Sequence, residues 1–120
     1  MAKYVVLLPG DEDAWEAETP EHRAGVYEKH AEFSKALADR GHQVVGGAEL
    51  AHSRAAKQVR AGADGGLLIT DGPYSEAVEQ LTGFYLVESE DLDDLLQIIG
   101  IIAEVESSVE VREMLTEESA

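Results

Sequence analysis

The chain contains no cysteine. Disulfides, thiolate metal sites and cysteine nucleophiles are therefore excluded. Positive charge is scarce: nine Lys and Arg face 25 Asp and Glu, a formal net charge of −16 over 120 residues. Nucleic-acid binding relies on cations that neutralise phosphates, so neither DNA nor RNA is an expected partner, and an anionic membrane is not either. No apolar run approaches the ~20 residues that span a bilayer. The N-terminal residues lack the apolar core and small-residue cleavage site of a signal peptide. The expected setting is soluble and cytoplasmic. Also missing are a phosphate loop of the Walker type, a dinucleotide fingerprint and a G-x-S-x-G elbow. No cofactor is expected.

What is present suits one small domain. At 44% hydrophobic the chain can bury a single core. We place that domain at residues 1–114, with an acidic tail at 115–120. The acidity itself reads most simply as a solubility feature.

Residues 3–9 form an aliphatic, β-branched run stopped by Pro9-Gly10, a central strand. Residues 11–18 read as an acidic loop carrying the single tryptophan, Trp15, a lid over the core or a stacking surface for a ligand. Thr19-Pro20-Glu21 is a helix start: a hydroxyl cap, proline at the first position and an acid in the first turn. The helix should run to about Arg40 and end at Gly41. Val26, Phe33 and Leu37 recur at helical spacing, and His30 falls in the same stripe, aimed at the sheet. His22 should lie nearer the surface, and His42 and His52, beside turns, should be exposed.

A short strand follows at 43–47, where Gly46-Gly47 signals a bulge or a close backbone approach. Residues 55–60 and 66–70 read as a hairpin, and residues 83–87 as a second central strand. Acids at Glu90, Asp91, Asp93 and Asp94 suit the positive end of a helix whose apolar face is Leu92, Leu95, Leu96, Ile99 and Ile102. Residues 108–112 alternate and close the fold as a last strand.

This order predicts an α+β, ferredoxin-like domain: a mostly antiparallel sheet with two helices on one face. The opposite sheet face then has no cover. Packing it against a second copy is the simplest remedy, so a homodimer through that open face is expected.

The run Thr70-Asp71-Gly72-Pro73-Tyr74-Ser75-Glu76-Ala77-Val78-Glu79-Gln80-Leu81-Thr82-Gly83-Phe84-Tyr85 resembles the signature of the YCII-related, or DGPF-domain, family. The likeness extends to the first strand, the acidic segment with Trp15, the helix with His30 and the closing Val109-Glu110-Val111-Arg112. Three positions depart from it: Tyr74 replaces a Phe, Val78 a common Lys, and Glu113-Met114 the usual proline. The lost lysine weakens any reading with an anionic substrate. The resemblance implies a dimeric α/β-barrel variant of the ferredoxin-like fold. Some relatives resemble small-molecule enzymes, among them a dehydrochlorinase of chlorinated hydroxyquinones, and a histidine and an aspartate are their proposed catalytic pair. The matching positions are His30 and Asp71.

An aspartate beside a histidine fixes its tautomer and supports proton transfer near neutral pH. The expected catalytic pair is thus His30 and Asp71, with Tyr74, Tyr85 and Glu79 as substrate-binding residues. The plainer alternatives are a buried His that satisfies a neighbour and an Asp that stabilises its own turn. Asp71, Glu76 and Glu79 match no calcium loop, and no metal is expected. Two functions stand side by side. One is a cofactor-independent enzyme with lyase- or isomerase-like chemistry on a small polar or aromatic compound. The other is a non-catalytic metabolite-binding or regulatory module.

Overall fold

The computed structural model describes residues 1–116, so residues 117–120 of the expected tail lie outside the described part. The order is β1 Ala2–Asp11, α1 Glu12–Ala17, α2 Pro20–Asp39, β2 Gln43–Glu49, a 3-10 turn Ser53–Ala55, β3 Lys57–Ala61, β4 Leu67–Asp71, β5 Glu79–Ser89, α3 Leu92–Ala103 and β6 Glu110–Glu113. No helix among the described residues is long and apolar enough to cross a membrane. Four strands form one sheet in the order β2-β5-β1-β6. Each of its pairings is antiparallel. The most aliphatic strands, β1 and β5, take the centre, where both edges are hydrogen-bonded. This is an α+β arrangement consistent with the ferredoxin-like fold.

Alternation along β1 sends Tyr4, Val6 and Leu8 to one face. There they meet Val87 of β5, Phe33 and Leu37 of α2, and Leu95, Ile98, Ile99 and Ile102 of α3. The helices begin where their caps dictate. Thr19 Oγ1 accepts from the His22 N–H at 3.1 Å, and Pro20 follows it. Gly41, at φ +84°, ends α2 in a conformation side chains resist. Asp91 caps α3 by accepting from the Asp94 N–H at 3.0 Å.

Two expectations need correction. Residues 12–17 are helix, not loop: Asp11 caps them by accepting from the Ala14 N–H at 3.1 Å, and Glu12 and Asp13 occupy the first turn. In α3 the buried stripe includes Ile98, whereas Leu92 and Leu96 are 40% and 44% exposed. At 100° per residue both leucines lie on the flank of a stripe centred on Leu95, Ile99 and Ile102.

Gly46-Gly47 does mark an irregularity, because the β2–β5 register shifts between Val44 and Gly46. Gly47 sits at φ +149°, and a Cβ there would lie 2.6 Å from the Phe84 carbonyl oxygen. Gly47→Ala is expected to cost about 2 kcal/mol or more through strain and displaced backbone. A urea unfolding curve checks this, with a lowered midpoint at unchanged slope.

β3 and β4 form a separate two-stranded sheet. Their register puts Val59 opposite Ile69 and Ala61 opposite Leu67, one apolar face. That face is bare: Val59, Leu67 and Ile69 are 61%, 74% and 60% exposed. Among the described residues, no other element packs extensively on the hairpin. The radius of gyration is accordingly 16.9 Å, against about 13.5 Å for a compact chain of this length. The side of the four-stranded sheet away from α2 and α3 is only half-buried. Val5 pairs with Leu86 and Leu7 with Phe84 there, and the molecule is only 18 Å thick along its shortest axis.

Candidate active site

His30 comes from the stripe that buries α2. One turn after Val26 and one before Phe33, it faces the sheet where the β5 pleat turns Tyr85 toward the helices. The two rings stack at a centroid distance of 5.8 Å, and Phe33 meets Tyr85 edge-on at 5.1 Å. His30 Nδ1 lies 2.6 Å from the Tyr85 hydroxyl, and Nε2 lies 2.7 Å from Glu106 Oε1. Glu106 is brought in by the turn that ends α3, where its N–H donates to the Ile102 carbonyl at 2.9 Å.

Hydrogen directions follow from the acid. A carboxylate only accepts, so Nε2 carries a hydrogen and donates to Glu106. In the neutral ring Nδ1 is then an acceptor, and the Tyr85 hydroxyl donates to it. The result is one chain, Tyr85 O–H to His30 to Glu106. Burial, reinforced by the negative charge of Glu106, pushes the Tyr85 phenol above its ordinary pKa. The phenol therefore keeps its proton at neutral pH.

This shift has a consequence for stability. The folded state holds the Tyr85 proton more tightly than the unfolded chain does. Its contribution is complete below the unfolded value of about 10 and is lost as pH rises through the folded value. Tyr85→Phe should flatten the fall of melting temperature above about pH 10. Melting wild type and variant side by side from neutral to strongly alkaline pH checks it.

The three groups line a cavity of about 730 Å³. Its walls come from α1, α2, β2, β5 and the turn at 105–107. Trp15 of α1 meets Tyr27 of α2 at right angles, 5.7 Å apart. The Tyr27 hydroxyl reaches both carboxylate oxygens of Glu49 on β2, at 3.0 and 3.1 Å. Trp15 is thus part of the cavity wall, as the ligand-stacking alternative requires.

Asp71 is elsewhere. It ends β4, with its side chain 77% exposed, and forms an ion pair with Lys57 across the hairpin. It does not line the cavity, and within one chain the place beside His30 belongs to Glu106. Tyr74 is 97% exposed on the segment after β4. Glu79 is exposed at the start of β5, opposite Asp11. Of the five anticipated residues, the fold brings together His30 and Tyr85.

His42 and His52 are not the exposed residues expected. His42 is 5% exposed. Its Nε2 lies 2.8 Å from Asp94 and its Nδ1 2.7 Å from the Ser89 hydroxyl. This is the same carboxylate–imidazole–hydroxyl order as at His30, but sealed, and it ties β5 to the start of α3. His52 Nδ1 accepts from the Arg54 N–H at 3.0 Å, and its Nε2 donates to Asp13 at 2.8 Å. Asp13, Glu16 and His52 are close enough to suggest a metal site. The Arg54 bond, however, puts the ring hydrogen on Nε2, leaving no lone pair there for a metal. Arg54 also grips both oxygens of Glu16, at 2.5 and 3.1 Å. The cluster is a hydrogen-bonded tie between α1 and the 3-10 turn. The buried Glu12 strengthens it by accepting from the Ser53 N–H and hydroxyl at 2.7 and 2.5 Å.

No curated protein matches the chain. The family model of the YCII-related domain matches residues 2–118, essentially the whole sequence. The chain belongs to the YCII-related family.

Proposed function

We propose that the cavity is the active site of a cofactor-independent acid–base enzyme with lyase- or isomerase-like chemistry on a small polar or aromatic compound. The observation that carries this reading is the unbroken hydrogen-bond chain from Tyr85 through His30 to Glu106, all three of which line the cavity. In the reaction Tyr85 accepts a proton from the substrate as its own proton passes to His30 Nδ1. The imidazolium so formed is offset by Glu106. Reversal returns the proton to a different substrate atom. Charge never rests on an isolated phenolate, which suits a phenol that burial holds in its neutral form.

The domain acts as a homodimer in this proposal. Two apolar surfaces support it: the half-buried sheet face with Val5, Leu7, Phe84 and Leu86, and the exposed hairpin face with Val59, Leu67 and Ile69. A lone two-stranded hairpin is marginal in water. Asp71 and Tyr74 ride on or next to this hairpin. A role for Asp71 in the chemistry requires it to enter from a second copy.

The test is wash-in of solvent deuterium, followed by proton NMR, into a panel of small hydroxyketones, hydroxyquinols and aminoketones. Exchange by the wild type, lost in His30→Ala and Tyr85→Phe, supports the enzyme. Equal exchange in wild type and variants contradicts it. Ligand-dependent melting shifts with no exchange would favour the metabolite-binding module.

A further inference from the structure

We infer that the cavity selects an organic cation, an aromatic or aliphatic compound bearing a protonated amine or a quaternary ammonium. This names the ligand class of the site proposed above and rests on that reading only for the cavity's being a functional site.

Three observations converge. The first is wall charge. Asp11, Glu12, Glu16, Glu18, Glu49 and Glu106 line the cavity, and no Lys or Arg does among the described residues. Two arginines stand behind the wall. Arg54 is committed to Glu16, and Arg23 donates to the Trp15 and Glu18 carbonyls at 3.3 and 2.6 Å. The carboxylates outnumber them, so negative potential remains. A concave site with low-dielectric walls focuses such a potential and concentrates cations. An anionic ligand would find no guanidinium or ammonium to receive it.

The second is the aromatic corner. The Trp15 and Tyr27 rings stand at 90° to each other. Both rings line the cavity, and an aromatic face presented there attracts a cation through the ring quadrupole. The third is Glu49. Tyr27 is its hydrogen-bonding partner, and a single phenol hydrogen shared between two oxygens leaves most of the acceptor capacity unused. The carboxylate therefore lies beside the same corner with room for an ammonium donor. The corner and the Tyr85 phenol line one cavity, so an amine anchored at Glu49 can extend toward the proton-transfer chain.

Trp15 is the only tryptophan, so its fluorescence reports the cavity without labelling. The probes are benzyltrimethylammonium, benzyl alcohol and benzoate, titrated into wild type, Glu49→Gln and Glu90→Gln. The wild type is expected to show a saturable Trp15 change with the ammonium compound. Binding should be at least tenfold weaker for the alcohol and absent for benzoate. Glu49→Gln should weaken the ammonium compound about tenfold, through loss of the counter-charge beside the aromatic corner. Glu90→Gln, which removes an equal charge outside the cavity, should bind it unchanged. Benzoate binding as tightly as the cation, no saturable binding by any probe, or an unaffected Glu49→Gln variant each overturns the inference. The deuterium-exchange experiment is independent. Exchange without cation preference removes the ligand class and leaves the enzyme, and cation binding without exchange does the reverse.

Discussion

Tyr85→Phe is expected to lower turnover by about 10²–10⁴-fold, the usual contribution of a positioned acid or base. Phenylalanine keeps the ring that stacks on His30 and receives the edge of Phe33, so the cavity keeps its shape. What disappears is the hydroxyl that donates to His30 Nδ1 and, in the proposed step, relays the substrate proton. His30→Ala should lose as much, because the phenol then has nowhere to pass its proton. The double variant should be no worse than either single one, since groups acting as a unit give non-additive losses. Glu106→Gln separates orientation from charge. The amide oxygen still accepts from Nε2, but the imidazolium has lost its counter-charge. Its kcat should fall with little change in KM. Rates on whichever panel compound exchanges with deuterium check all four variants.

The second large effect is on stability. Phe33→Ala should cost about 3–5 kcal/mol, as expected for emptying a fully buried aromatic site. Phe33 is 0% exposed and belongs to the cluster that joins α2, α3 and β1. Its ring also braces Tyr85, so the surviving folded protein should bind ligands in the cavity more weakly. Urea unfolding gives the stability change. A midpoint shifted by less than a third of the expected amount would mean that the site is not closely packed around Phe33.

Much of the architecture could be read from residue order because local signals agreed with one another. Thr19-Pro20 and Gly41 bound α2, and the alternation of Tyr4, Val6 and Leu8 marks a core strand. The Val26, His30, Phe33 spacing was sufficient to aim an imidazole at the sheet. Its partner was not legible. Glu106 lies in a turn after α3, one carboxylate among 25 acids, and is 76 residues from His30. Nothing in its neighbours distinguishes it; only the packing of α3 against α2 brings the two together. Asp71 stood out because it follows a strand and precedes Gly-Pro, but a strand end shows only where a carboxylate sits along the chain. The hairpin carries it away from α2. The burial of His42 has a related cause. A residue just past a helix-ending glycine reads as exposed, whereas Ser89 and Asp94, distant in sequence, close over it. Short-range patterns specify elements and faces, but they do not specify which polar groups meet across elements.

The most direct test of the central claim is the tautomer of His30, read from ¹⁵N shifts of histidine-labelled protein at mildly alkaline pH. The Tyr85–His30–Glu106 chain predicts a protonated Nε2 and an unprotonated Nδ1, with Nδ1 moving toward the free-acceptor shift in Tyr85→Phe. A hydrogen on Nδ1, or a ring that averages over both tautomers, would contradict it.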